Sequence, residues 1–165
     1  MSEAGAFTIT AATGDDRDWA AGLMAGSDPW VTLRRGIDQC RAACQRPELV
    51  VFVARDGSER CGFSLVNPRG VAGSPYLASI AVAPGWRSRG VGAALLDHCE
   101  RHAALTSRHF FLCVSSFNAG ARAFYARQGY RQVGEFDDYI IDGASELLMY
   151  KRVRPAATVP APPGA

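Results

Sequence analysis

The stretch Arg87-Ser88-Arg89-Gly90-Val91-Gly92-Ala93 stands between a run of strand character and a run of helix character. On its N-terminal side, Tyr76 to Ala83 reads as a strand that runs into Pro84-Gly85, and on its C-terminal side a helix is expected from about Gly90 to Leu105. Gly90 and Gly92 remove side chains where the backbone turns, so several N–H groups at the helix start can point at one anion. The helix dipole adds positive potential there. The segment therefore reads as a phosphate cradle. It is not a Walker loop, because no Lys-Ser/Thr pair follows, and it is not the dinucleotide fingerprint, because Leu95 stands where the third small residue belongs. Taken alone, a plain glycine turn at a helix start is the competing reading.

Working outward, His109 to Ser115 is again a strand, and a strand, crossover helix and strand in succession imply a parallel pair. Upstream, Glu48 to Arg55 and Cys61 to Asn67 are β-branched or aromatic runs joined by Asp56-Gly57-Ser58-Glu59, the chemistry of an antiparallel hairpin. Phe7 to Ala11 reads as a strand, and Asp15 to Ala25 as a helix with Trp19, Leu23 and Met24 on one side. A second helix is expected to follow Asp28, capped by Ser27 or Asp28, with Pro29 in its first turn. Trp30, Leu33, Ile37, Cys40 and Cys44 recur in it at three- and four-residue steps. Downstream, Asn118 to Gln128 is a short helix ended by Gly129, and Tyr130 to Glu135 with Glu146 to Arg152 supply two more strands. The order βααβββαβαββ predicts an α+β chain: a mixed sheet with helices packed on its faces.

The 165 residues suit one domain, expected over 1–153, and the Pro/Ala-rich end from Arg154 to Ala165 is expected to be disordered. The only lysine is Lys151, so arginine supplies 17 of the 18 basic residues, and the formal net charge is only +2. That balance argues against nucleic acid as a partner. No run of about 18 apolar residues is present to span a bilayer, and Glu3 with no basic flank does not read as a signal peptide, so a cytoplasmic protein with no membrane association is expected. Cys40, Cys44, Cys61, Cys99 and Cys113 are odd in number and form no C-x-x-C pair, which argues against a disulfide framework and a zinc ribbon.

Ile80-Ala81-Val82, the R-x-x-G-x-G pattern of Arg87, Gly90 and Gly92, then Asn118 with Tyr125 seven residues later and Gly129-Tyr130 resemble, in that order, the GNAT superfamily of acetyl-CoA-dependent N-acetyltransferases. The resemblance covers roughly Glu48 to Arg152. It implies a three-layer fold whose sheet is mostly antiparallel around a central parallel strand pair. It also implies that Ile80, Ala81 and Val82 pair with the pantetheine arm of acetyl-CoA like an added strand. Arg87, Ser88, Arg89, Gly90, Val91, Gly92 and Ala93 would hold the pyrophosphate, and Asn118 would contact the cofactor arm. Tyr125 matches the residue that hands a proton to the departing thiolate, a task that suits a phenol protonated at neutral pH. The competing reading of Tyr125 is a packed aromatic beside Phe124.

The general base departs from the family pattern. Where one branch carries a glutamate on the strand before the glycine loop this chain has Tyr76, and where another carries one on the next strand it has Cys113. A water relay, a carboxylate from Glu135 to Asp142, or an acceptor needing little help would fill the gap. An α-amine or another weakly basic amine then suits the site better than lysine. Glu135, Asp138 and Tyr139 belong to an acidic, aromatic loop suited to a cationic amine, with Trp30 as the candidate from the helical side; a solvated turn and a core tryptophan are the bland alternatives. His98 and His102 lie one helical turn apart, but no third ligand is evident, so no metal is expected. Cys113 lacks a histidine partner in the sequence, which leaves a covalent route unsupported. The expected function is direct acetyl transfer to a primary amine of a small molecule or a protein N-terminus, with a homodimer compatible. A non-catalytic acyl-CoA sensor or interaction module is the alternative.

Overall fold

The computed structural model describes residues 7–155, so most of the proline-rich end lies outside the described residues. Seven strands form one open sheet: β1 (Thr8–Ala11), β2 (Val50–Asp56), β3 (Glu59–Val71), β4 (Ser74–Val82), β5 (His109–Ser115), β6 (Arg131–Phe136) and β7 (Glu146–Arg152), in the order β1-β2-β3-β4-β5-β7-β6. The β4–β5 pair is parallel and every other pair is antiparallel, as the resemblance implied. The β2–β3 hairpin turns through Gly57 and Ser58, with Gly57 at φ +57°, where a residue without Cβ costs nothing sterically.

Side chains alternate across the sheet, and each face receives its own helices. Val51, Val53, Phe63 and Leu65 meet Ala20, Ala21 and Met24 of α1 (Gly14–Ala25) and Cys40 and Cys44 of α2 (Ile37–Cys44). On the other face, Phe52, Leu77, Phe110, Leu112 and Val114 pack against Leu96, Cys99 and Ala103 of α3 (Val91–Ala103) and Tyr125 of α4 (Ala119–Arg127). The three expected layers are therefore present. His98 and His102 both set their rings edge-on to Phe52, with centroids 4.5 and 5.2 Å away.

Asp16 fastens the first helix to the sheet. Its carboxylate, 1% exposed, accepts from the Thr13 N–H at the start of α1 and from Arg55 and Arg60 of the β2–β3 hairpin. Burial alone would raise its pKa, but those donors together outweigh the burial and hold it well below the usual carboxylate range.

Two expectations need correction. The second helix does not begin after Asp28: residues 27–34 are turns, and the helix starts only at Ile37. Asp28 Oδ1 accepts from both the N–H and the hydroxyl of Thr32, Arg34 takes a left-handed φ of +57°, and Gly36 caps α2 in an extended conformation. Local side-chain bonding competes with the helix ladder there despite the apolar spacing. Strand β3 runs on to Val71 rather than ending at Asn67: the register irregularity between Asn67 and Val71 takes in Pro68 and Gly70, and Gly70 lies so close to Tyr76 that a Cβ would come within 2.4 Å of the Tyr76 Cβ.

Candidate active site

Strands β4 and β5 pair only at Tyr76–Phe111 and Leu77–Leu112, and beyond those positions they part. On its other side β4 stays paired with β3 through Val82, so its β5-facing edge from about Ala78 onward is free. A cleft of ≈ 1330 Å³ opens at this divergence. Ile80, Ala81 and Val82 line it from β4, while Arg87, Ser88, Gly90, Val91, Gly92 and Ala93 line it from the loop and the start of α3.

The loop has the shape of an anion nest. Ser88 at φ +61° and Gly90 at φ +85° are both left-handed, and no acceptor among the described residues takes up the backbone N–H groups of 88–93. A left-handed serine is uncommon, and the sequence does not signal it. At Gly92 a Cβ would meet Phe124 and Val82 at 3.6 Å, ordinary contact, so the space this glycine leaves belongs to the cleft rather than to a crowded backbone. Arg89 is turned away: its guanidinium lies 5.1 Å over the Trp86 ring, and it does not line the cleft. The donors and room at this loop fit the pyrophosphate of a coenzyme A, and the free β4 edge fits an extended amide-bearing arm.

Asn118 and Tyr125 also line the cleft. Asn118 Oδ1 caps α4 by accepting from the Ala121 N–H at 3.1 Å, which leaves its amide nitrogen unused. Tyr125 is 7% exposed and its ring packs against Phe124 and Tyr130, yet its hydroxyl makes no hydrogen bond to a described residue. Since no buried polar side-chain atom is left without a partner among the described residues, that hydroxyl keeps an outlet to the cleft. Burial, with a smaller contribution from Cys99, pushes its pKa above the ordinary phenol value.

Trp30 and Tyr139 also line the cleft, Trp30 buried and Tyr139 69% exposed. Glu135 and Asp138 do not line it: Glu135 is exposed on β6, and Asp138 accepts from the Gly143 N–H within its own loop. The carboxylate that does reach the cleft, and that sequence reasoning missed, is Glu146 at the start of β7. It is 7% exposed and lies opposite Ser115, whose hydroxyl donates to Glu146 Oε1 at 2.5 Å. Tyr76 and Cys113, which stand where other branches carry a glutamate, share this part of the cleft. Burial pushes both groups up, and each feels the other and the Glu146 charge. Neither is poised to ionise near neutral pH. The other four cysteines are buried and free, and burial pushes Cys99 up to about 12.

Solved structures share this architecture. The ribosomal-protein-S18-alanine N-acetyltransferase from Escherichia coli superposes with a TM-score of 0.72 at 21% identity, covering 93% of this chain and 98% of that one. An aminoglycoside 6'-N-acetyltransferase complexed with coenzyme A gives 0.77 at 17% identity, with 92% and 99% covered. At these identities the likeness is one of fold. An uncharacterised N-acetyltransferase of Methanocaldococcus jannaschii is 34% identical over 82 residues, 48% of this chain and 53% of that protein, so the match spans about half the length of that curated relative. The model of the acetyltransferase (GNAT) family matches residues 17–130, a span that holds the divergent strands, the glycine loop, Asn118 and Tyr125, and the chain belongs to that family.

Proposed function

We propose that this protein transfers an acetyl group directly from acetyl-CoA to a primary amine, the acceptor being a small molecule or a protein N-terminus. The observation that carries the reading is one cleft that combines unpaired backbone donors at 88–93, a free β4 edge and the unpaired hydroxyl of Tyr125. The loop donors and the start of α3 would hold the pyrophosphate, and the edge of Ile80 to Val82 would align the arm so that its thioester reaches the point where β4 and β5 part. Binding alone would not need Tyr125. Its phenol supplies the proton that the departing thiolate requires, and the burial that raises its pKa does not spoil the match, because a thiolate released in the same dry site is disfavoured too.

The acceptor would enter from the side of Trp30 and Tyr139, whose rings suit an amine carried on an apolar or cationic body. Binding of acetyl-CoA by calorimetry, followed by thiol release with a panel of amines, tests the proposal. Tight binding with amine-dependent thiol release is expected. Binding with no release across α-amines, alkylamines and lysine side chains would identify a sensor instead, and no binding at all would remove the reading altogether.

A further inference from the structure

We propose that Glu146, held by Ser115, is the group that receives the acceptor's ammonium and takes its proton, an inference that rests on the acetyl-transfer reading above. Glu146 is more than nine-tenths buried, yet no lysine or arginine among the described residues pairs with it. Its one hydrogen bond, from Ser115, engages Oε1. Oε2 has no donor among the described residues, and since no buried side-chain oxygen is left without a partner, Oε2 must keep contact with the cleft.

A buried carboxylate without a cationic partner is costly unless a ligand provides one. Every other buried acid of the described chain has such a partner: Asp16 has Arg55 and Arg60, and Glu100, only slightly exposed, has Lys151. The Ser115 hydroxyl fixes the carboxylate's orientation, and the β5–β7 register that pairs Ser115 with Glu146 keeps both at the mouth of the strand divergence. The missing partner fits a primary ammonium.

One proton passes from the ammonium to Glu146 Oε2, and the lone pair so freed attacks the thioester carbonyl. The C–N bond forms and the C–S bond breaks. The thiolate takes the Tyr125 proton, a second hydrogen of the nitrogen restores the phenol, and the third stays on the amide. One proton remains on Glu146 and leaves to solvent. A built-in acceptor also lifts the restriction to weakly basic amines that the absence of carboxylates at Tyr76 and Cys113 suggested.

The test uses the full chain saturated with coenzyme A and labelled with ¹³C at glutamate side chains. Titration with n-butylammonium chloride should shift the Glu146 carboxyl resonance saturably, with tetramethylammonium as the control that cannot give up a proton. Glu146→Gln preserves size and can still accept from Ser115. It should bind acetyl-CoA within about twofold of wild type while kcat/KM for n-butylamine, alaninamide or Nα-acetyl-lysinamide, whichever the wild type uses best, falls at least about a hundredfold. Ser115→Ala should produce a smaller loss, mainly in KM. An unmoved Glu146 resonance, or a Glu146→Gln protein within about threefold of wild-type kcat/KM, would overturn the assignment. Failure of the wild type to bind acetyl-CoA would instead refute the functional reading beneath it.

Discussion

Asn118 Oδ1 accepts the backbone N–H of Ala121 at 3.1 Å, so the residue expected to touch the acyl donor also starts the helix that carries Tyr125. The two roles use different atoms of one side chain. Asn118→Asp keeps the capping oxygen and loses the amide donor, whereas Asn118→Ala loses both. Melting should place Asn118→Asp close to wild type and Asn118→Ala about 0.5–2 kcal/mol lower. Both should weaken acetyl-CoA binding by calorimetry, and an Asn118→Asp protein with unchanged affinity would confine this residue to its cap.

The glycine loop separates a conformational demand from a spatial one. Gly90 sits at φ +85° as the cap residue of α3, so Gly90→Ala forces an L-residue into the left-handed region at roughly 1–2 kcal/mol. Gly92 is not left-handed, and a methyl there meets only ordinary contacts at 3.6 Å. Gly92→Ala should therefore fold normally, while Gly92→Glu projects a carboxylate among the donors proposed to hold phosphate. Calorimetry should show the acetyl-CoA Kd of Gly92→Glu raised at least about tenfold, or about 1.4 kcal/mol, with the melting temperature little changed. An unaltered Kd in the folded variant would count against the cradle.

What was legible in the sequence depended on how local the determining interactions are. The order of strands and helices, the hairpin at Gly57-Ser58 and the turn through Gly90 into α3 follow from turn chemistry and periodicity within a dozen residues. The Asp28 to Arg35 segment failed because Asp28 bonds Thr32 and diverts an apolar pattern that otherwise suits a helix. Glu146 was missed for the opposite reason. Its burial depends on a register with Ser115, far away in sequence, and the local signal is a glutamate opening the apolar run Leu147-Leu148-Met149. Glu135 and Asp138 stand out in the sequence because acidic loops are conspicuous, yet they do not line the cleft.

Asp16 should make stability depend on acid. Its native pKa is depressed relative to the unfolded value near 3.9, so the stability it contributes is present above that value and is lost as pH falls below about 5 and on through the lower native pKa. Asp16→Asn removes the charge that faces Arg55 and Arg60 and weakens the cap at Thr13, for a loss of about 2–4 kcal/mol at pH 7. Because both arginines reach water, the loss stays below that of a fully buried pair. Urea melts at pH 7 and pH 3 should show the wild type losing more stability on acidification than Asp16→Asn does. Parallel losses would assign the acid sensitivity to other groups.

Tyr125→Phe tests the proposed proton donation to the departing thiolate. The ring contacts with Phe124 and Tyr130 survive the change, and because the hydroxyl bonds to no described residue, its removal leaves no protein donor or acceptor unpaired. Stability should therefore stay within about 0.5 kcal/mol of wild type, the range of a substitution that disturbs no packing or hydrogen bond. Acetyl-CoA affinity should hold as well, since the phosphate donors lie on a different element. The loss should fall on kcat, by about 10²–10⁴-fold if thiol departure limits turnover. Acceptors of differing amine pKa give the sharper comparison: the Glu146→Gln loss should grow as the amine becomes more basic, whereas the Tyr125→Phe loss should not, since the proposed role of Tyr125 is toward the thiolate, which is common to every acceptor. Steady-state rates of both variants across amines spanning several pKa units would read this directly. A Tyr125→Phe deficit that tracked amine basicity would move Tyr125 from the leaving group to the nucleophile.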